Sequence, residues 1–183
     1  MVIVAICLGL RRSEIFGLRW ADIKWETLTL DVQRGLVEGV LDEPKSELSE
    51  GTLPIAAELA EVLWRWKGQA RFNASEDFVF ANEIGAAYSP SHLQQNRLRP
   101  AGKEIGFQDS LGWHTFRHTY RTFLDQTRAP MSAQQELMRH ADIQTTFEYG
   151  EALTPSKRKA NSKVVRMILA TAKTRAQKKG ESK

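Results

Sequence analysis

The sequence is poor in cysteine and in long apolar stretches. Cys7 is the one cysteine among 183 residues, so no disulfide can form within the chain, and a reducing compartment is expected. The apolar run VIVAICLGL around Cys7 is too short to span a bilayer, and no basic segment precedes it. We therefore expect a buried helix here, in a cytoplasmic protein without a membrane anchor or a signal peptide.

The sequence also lacks the patterns of several enzyme classes. Its four histidines include one i, i+4 pair, His114 and His118, but no H-E-x-x-H motif, clustered carboxylates or cysteine partners accompany them. The G-x-S-x-G and G-x-x-x-x-G-K-[ST] motifs are missing as well. These absences argue against a metal-dependent hydrolase, a serine hydrolase and a nucleoside triphosphatase, and we expect no cofactor.

Hydrophobic spacing predicts an α+β fold that is mainly α-helical. Helical periodicity covers most of the chain, namely 2–18, 56–68, a stretch after Ser89 with Pro90 in its first turn, and nearly everything after Gly112. Strand-like alternation and turn residues are confined to TLTLDVQ (27–33), the hairpin-like GLVEGVLDEPKSELSEG (35–51) and TLPIA (52–56). These three strand-like segments predict a small antiparallel sheet near the N-terminal third.

Positive charge is concentrated in particular places. The formal net charge is only +4, but residues 156–183 carry ten Lys/Arg against one Glu, which suits either a polyanionic partner or a solubilising tail. The helix predicted after Gly112 has an apolar face made of Trp113, Phe116, Tyr120 and Phe123. Its cationic face is made of His114, Arg117, Arg121 and Arg128. An H-x-x-R pair suits two oxygens of one phosphate, although a solvated basic face has the same pattern.

Three other stretches hold residues with two possible roles. GLRRSEIFGLRW places Arg11 and Arg12 late on an apolar helix, with Glu14 available to form an ion pair with one of them. Lys45 lies in the turn-rich DEPKSELSEG stretch, where an exposed lysine usually has no function. HADIQTTFEYG contains Tyr149 just before its final glycine, and this tyrosine is either a core aromatic residue or a nucleophile.

Four blocks in this order resemble the catalytic domain of the tyrosine recombinase (phage integrase) family. GLRRSEIFGLRW is similar to its first arginine box, and PKSELSEGTLPI to its β-hairpin lysine segment. WHTFRHTYRTFL is similar to its H-x-x-R box, and MRHADIQTTFEYG to the box that ends in the nucleophile. The blocks run from residue 9 to residue 150, and their order and spacing together are highly specific.

The resemblance implies a set of six catalytic residues: Arg11, Lys45, His114, Arg117, His140 and Tyr149. It also implies contacts to the DNA backbone from Arg12, Arg121, Arg128 and Arg139. The sequence departs from the family pattern at three positions. Arg139 stands where the family usually has glycine, Gly51 where arginine is frequent, and Ala152 where histidine is usual.

The reaction implied by the resemblance is a transesterification. Tyr149 attacks a DNA phosphodiester to give a 3′-phosphotyrosyl link and a free 5′-hydroxyl, so neither ATP nor a metal is needed. Arg11 and Arg117 are then expected to hold the phosphate oxygens. Lys45 is the expected general acid and His114 the proton shuttle of the nucleophile, while His140 is expected to bond a phosphate oxygen.

The resemblance also implies partners and a domain division. The partner is double-stranded DNA, on which a tetramer is expected to assemble from protein that is monomeric alone, with no membrane and no small-molecule substrate. Residues 1–172 are expected to form the catalytic domain of a bacterial, phage or mobile-element protein, and 173–183 a basic flexible tail. This domain is expected to lack its first helix and an N-terminal core-binding domain, since the chain starts directly in a hydrophobic helix.

Two questions remain open at the level of sequence. A catalytically impaired DNA-binding remnant and a type IB topoisomerase-like enzyme are alternatives to the recombinase. The apolar stripe of the last helix contains Val164, Val165, Ile168 and Leu169, and it suits docking either onto a neighbouring protomer or onto its own domain.

Overall fold

The computed structural model describes residues 1–37, 39–42, 51–107, 111–139 and 155–180. Most of these residues are in helices and a few form short strands, as expected for a mainly helical α+β fold. The helices are α1 (Val2–Leu8), α2 (Arg12–Gly17), α3 (Ala57–Gln69), α4 (Pro90–Leu93), α5 (Arg99–Glu104), α6 (Trp113–Gln126), α7 (Met131–Met138) and α8 (Pro155–Gly180). A 3-10 turn at Trp20–Asp22 and a π-helical turn at Gln94–Leu98 join neighbouring elements.

The small antiparallel sheet predicted from the alternating segments is confirmed. The strands of the described chain are β1 (Ile23–Lys24), β2 (Thr29–Val32), β3 (Gly35–Val37), β4 (Val40–Asp42) and β5 (Gly51–Pro54). Strands β1, β2 and β5 pair in that order, with Leu30 opposite Leu53, and β3 pairs with β4 as a separate hairpin. Gly39 supplies the positive φ of 84° between the hairpin strands.

The single helix predicted over residues 2–18 is wrong, because the chain breaks between α1 and α2. Gly9 ends α1 in the left-handed region, with φ of 59° and ψ of 27°. A Cβ atom at Gly9 would lie 2.3 Å from Cδ1 of Tyr120, so only glycine fits against that ring. Arg11 consequently lies between the two helices, immediately before α2, rather than late on one helix.

The core is built around α6 and closed by α8. The Tyr120 side chain is fully buried, and its hydroxyl donates to Oδ1 of Asn161 over 2.9 Å. Asn161 in turn donates from Nδ2 to the carbonyl oxygen of Pro54 over 2.7 Å. These two bonds join α6, α8 and the sheet, and they satisfy polar groups that would be costly to bury alone.

The apolar stripe of α8 packs onto its own domain. Val164 and Val165 are fully buried, and Ile168 and Leu169 are partly buried against the same core. The helix continues to Gly180, so its backbone extends into residues 173–183, which the sequence analysis assigned to a flexible tail. The division at residue 172 itself stays a prediction.

Two further expectations concern the apolar N-terminal run and Ser89. Cys7 is buried, as predicted, and this burial raises the pKa of its thiol to about 12, which leaves it unreactive. A helix begins after Ser89, also as predicted, and the Ser89 hydroxyl caps it by accepting from the backbone N–H of His92 over 3.4 Å. None of the helices in the described parts of the chain combines the length and the apolar character that a membrane crossing requires.

Candidate active site

Three arginines converge on one buried glutamate where α2, α6 and the end of α7 meet. We call Arg11, Arg117, Arg139 and Glu14 the arginine cluster. Arg11 precedes α2, Glu14 lies in its first turn, Arg117 lies within α6, and Arg139 follows α7. The cluster therefore collects side chains from segments that are far apart in the sequence.

Glu14 accepts three hydrogen bonds in this cluster. Its Oε2 atom accepts from the backbone N–H of Arg11 over 2.6 Å, and its Oε1 atom accepts from Nη1 of Arg11 over 2.8 Å. Oε2 also accepts from Nη2 of Arg139 over 2.5 Å. The Glu14 side chain is only 7% exposed, so it is a buried charge that is held by opposite charges. The sequence predicted an ion pair of Glu14 with either Arg11 or Arg12, and Arg11 is the partner in the structure.

Arg117 is bound by main-chain carbonyl groups. Its Nη1 atom donates to the carbonyl oxygen of Gly9 over 2.5 Å, and its Nη2 atom donates to the carbonyl oxygen of Met138. Burial, together with the neighbouring charges of Arg11 and Arg139, lowers the pKa of Arg117 to about 10. The guanidinium still carries its charge at neutral pH, and it links α6 to the Gly9 break and to the end of α7.

The arginine cluster has more positive than negative charge. Among its four side chains, three guanidiniums face one carboxylate, so the positive charge is only partly compensated. The Arg11 side chain remains 34% exposed and connects the cluster to the surface. Planar guanidiniums bind the paired oxygens of phosphate groups well, so this arrangement suits a phosphate-containing ligand.

His114 lies one turn before Arg117 on α6 and is exposed. Its ring makes a T-shaped contact with the ring of His118, with centroids 4.4 Å apart. Partial burial lowers the pKa of His114, and the charges of His118 and Arg117 lower it further. The imidazole is thus neutral at neutral pH and can accept a proton. Within the described residues, no group of three or more potential ligands is arranged to hold a metal ion.

Comparison with known proteins decides the family. Residues 1–155 match the phage integrase family. The chain belongs to this family. A "Tyrosine recombinase XerC-like" protein of Caldanaerobacter subterraneus subsp. tengcongensis is 28% identical over 88% of the chain and 47% of its own length. "Tyrosine recombinase XerC" of Pseudomonas fluorescens is 33% identical over 77% of the chain and 43% of its own length. The chain thus spans slightly less than half of these relatives.

Solved structures of integrase-family proteins share the fold. The Tn1549 transposon integrase in complex with a circular intermediate DNA has a TM-score of 0.66 at 21% identity. That match covers 87% of this chain and 55% of the integrase. XerA recombinase has a TM-score of 0.60 at 18% identity, over 92% of this chain and 55% of XerA. The integrase-type α+β fold predicted from the sequence is confirmed.

Three residues predicted for an integrase active site lie outside the described residues, namely Lys45, His140 and Tyr149. Two described residues that flank the segments holding them, Gly51 and Arg139, lie at the arginine cluster or against it. Gly51 begins β5 after the segment with Lys45, and a Cβ atom there would be 3.2 Å from Cδ of Arg139. Arg139 itself directly precedes His140. The chain therefore passes the arginine cluster as it leaves one of these segments and enters the other.

The four arginines expected to contact the DNA backbone have different environments. Arg12 and Arg128 are exposed, and Arg121 pairs with Asp125 at 3.7 Å. Arg128 lies beyond the end of α6, so it does not continue the cationic face of that helix as the spacing predicted. The Arg139 side chain is only 4% exposed, which differs from the surface position that a DNA backbone contact would need.

The sequence did not indicate that Arg139 belongs to the arginine cluster. Its one signal was the departure from the glycine that the family pattern has at this position. Arg139 ends α7 with φ of 48° and ψ of 53°, in the left-handed region that favours glycine. The carbonyl oxygens of Gly9 and Met138 were also missed, because no sequence motif marks a main-chain acceptor.

Proposed function

We propose that this chain is the catalytic domain of a site-specific DNA recombinase that cleaves and rejoins DNA strands through a 3′-phosphotyrosyl intermediate. The observation that carries the proposal is the incompletely compensated positive charge of Arg11 and Arg117 beside the proton-accepting His114 on α6. Membership of the phage integrase family and the relatives named tyrosine recombinases support it.

In the proposed reaction, the phenol oxygen of Tyr149 attacks the phosphorus of a DNA phosphodiester. The bond from phosphorus to the 5′-oxygen breaks as the bond to the tyrosine oxygen forms. His114 accepts the phenol proton, and Lys45 gives a proton to the leaving 5′-oxygen. One phosphodiester replaces another, so the reverse step can join the link to a new 5′-hydroxyl without another source of energy.

The arginines act on the charge of the transition state. The pentacoordinate phosphorus places negative charge on its nonbridging oxygens, and Arg11 and Arg117 neutralise this charge, with His140 bonding to one of the oxygens. Both guanidiniums are held in place before DNA binds, Arg11 by Glu14 and Arg117 by main-chain carbonyls. Removing one preorganised contact of this kind typically costs about 3 kcal/mol of transition-state stabilisation.

We propose double-stranded DNA as the partner and a tetramer on DNA as the assembly in which strands are exchanged. The Tn1549 transposon integrase, which has the same fold, was solved with a circular intermediate DNA. Exposed Arg12 and Arg128 and the partly exposed Arg121 would contact phosphates, so affinity should fall steeply with salt. The bacterial origin of the relatives supports a cytoplasmic site of action.

The test is formation of a covalent protein–DNA adduct on a pool of end-labelled, nicked duplexes with a randomised core. The pool is needed because the target site is unassigned, and the adduct is read on a denaturing gel. The native chain should give an adduct, Tyr149→Phe none, and Tyr88→Phe as much as the native chain. No adduct from the native chain, or an equal adduct from Tyr149→Phe, would overturn the proposal. Salt-dependent DNA binding without an adduct would instead identify a non-catalytic DNA-binding protein.

A further inference from the structure

Arg139 occupies an unfavourable position in the fold. It is one of three non-glycine residues with positive φ in the described chain, and glycine would adopt this backbone conformation at a lower energetic cost. Its side chain is nearly fully buried, and its Nε and Nη1 atoms have no hydrogen-bond partner among the described residues. A buried cation with unmatched donors lowers stability, so packing alone does not account for an arginine here.

Arg139 holds Arg11 in two ways. The carbonyl oxygen of Arg139 accepts from Nη2 of Arg11 over 2.6 Å. The Arg139 side chain donates to Oε2 of Glu14, the same atom that accepts from the backbone N–H of Arg11. Arg139 therefore fixes both the guanidinium of Arg11 and the carboxylate that orients it, without reaching the surface itself.

Gly51 provides the space for Arg139. A Cβ atom at Gly51 would lie 3.2 Å from Cδ and 3.9 Å from Cγ of Arg139, which are the nearest side-chain atoms among the described residues. A longer side chain at position 51 would start in the space that the Arg139 side chain now fills. These are also two of the positions at which the sequence departs from the integrase pattern, and the structure places them in contact.

We propose that Arg139 is a positioning residue for Arg11. We also propose that an arginine at either position 51 or position 139 can place a guanidinium beside Glu14, provided that the other position is glycine. In this chain the guanidinium comes from residue 139, and Gly51 leaves the space for it. With glycine at 139, an arginine at 51 would extend through the same space toward Glu14. The inference rests on the proposed function, because Arg11 is the residue that Arg139 positions.

The test compares five proteins: the native chain, Arg139→Gly, Arg139→Lys, the double variant Arg139→Gly/Gly51→Arg, and the control Arg139→Gly/Gly68→Arg. Gly68 is exposed, and a Cβ atom there would meet no described residue within 4 Å beyond its own chain neighbours, so an arginine at 68 adds charge without reaching Glu14. Each protein is assayed for its thermal midpoint, its DNA affinity and its single-turnover adduct rate at saturating DNA from the randomised nicked pool.

We expect Arg139→Gly to melt at a moderately lower temperature than the native chain, because buried Glu14 keeps Arg11 but loses Arg139 as a counter-charge, although glycine relieves the positive φ. Its adduct rate should fall about a hundredfold while its DNA affinity is little changed, as expected when a reacting contact is misplaced. Arg139→Lys should retain part of the rate. The Gly51→Arg double variant should recover most of it, and the Gly68→Arg control should recover none.

Three results would overturn the inference. In the first, Arg139→Gly cleaves like the native chain. In the second, it loses rate only in proportion to a loss of folded protein, which would make Arg139 merely structural. In the third, Gly51→Arg rescues no better than Gly68→Arg.

A second readout separates this inference from the proposed function. Orthovanadate, a phosphate analogue, should raise the thermal midpoint of the native chain by binding the arginine cluster. This shift should shrink in Arg139→Gly and return in the Gly51→Arg double variant. If the native chain forms no DNA adduct, the proposed function fails, but the vanadate series still tests Arg139. Equal vanadate shifts in the native chain and Arg139→Gly would overturn the inference even if the adduct forms.

Discussion

Arg11 donates from its Nη2 atom to the main-chain carbonyl oxygen of Arg139 over 2.6 Å. This bond joins the residue before α2 to the residue after α7. Arg117 donates to the carbonyl oxygen of Gly9, at the break between α1 and α2, and to that of Met138, the last residue of α7. Arg11 and Arg117 are thus fixed to their surroundings mainly through the backbone, and changes in that backbone should affect the stability of the chain and the proposed chemistry together.

Gly9→Ala should strongly destabilise the chain. The added Cβ would overlap the Tyr120 ring at 2.3 Å, and the positive φ adds about 1 kcal/mol of strain. Gly39→Ala is the matched control, because φ is also positive there but a Cβ would meet none of the residues that the structure describes within 4 Å. Urea denaturation should show a loss of several kcal/mol for Gly9→Ala and only about 1 kcal/mol for Gly39→Ala. Equal losses would contradict the close contact between Gly9 and Tyr120.

Glu14→Gln should cost about 3 kcal/mol or more of unfolding free energy, because it leaves Arg139 buried without a counter-charge. Glu58→Gln tests an exposed pair of the same type, since Glu58 and Arg166 are 44% and 68% exposed. That change should cost at most about 1 kcal/mol. Chemical denaturation measures both, and a Glu14→Gln loss as small as that of Glu58→Gln would count against the arginine cluster as a buried charge network.

The adduct rate should depend on the protonation of His114. If neutral His114 accepts the phenol proton, the rate falls as the pH drops through its pKa, which lies below the ordinary 6.5. His114→Ala should be slow throughout and lose this acidic limb. His118→Ala removes a charge that lowers the pKa of His114, so the limb should move to higher pH. A single-turnover pH series is the measurement, and an unchanged limb in His114→Ala would exclude this role.

Local sequence patterns predicted the parts of the fold that local physics determines. Alternation and turn residues gave β2 and the β3–β4 hairpin correctly, and the spacing of Trp113, Phe116 and Tyr120 identified the buried face of α6. The break at Gly9 was missed because its cause is a ring that lies far along the chain. Helical propensity within residues 2–18 contains no information about that contact.

The site could be predicted only in part for the same reason. Spacing placed Arg117 on a cationic face, but the residue is buried because its two acceptors come from α1 and α7. Arg139 was expected at the DNA surface, and its burial depends on the side chain that Gly51 lacks. The family resemblance identified individual residues but not their contacts. That Gly51 leaves room for the Arg139 side chain became visible only in the structure.

In the proposed reaction, Tyr149 becomes covalently attached to DNA at this arginine cluster. The most direct test isolates the adduct, digests the protein and the DNA, and locates the attached nucleotide by mass spectrometry. The chain has three tyrosines, and Tyr120 is fully buried with its hydroxyl bonded to Asn161, so the outcomes are well separated. We predict attachment at Tyr149 through a 3′-phosphate. Attachment at Tyr88 or at a residue other than tyrosine would exclude Tyr149 as the nucleophile. A 5′-phosphate link would exclude the proposed polarity of cleavage.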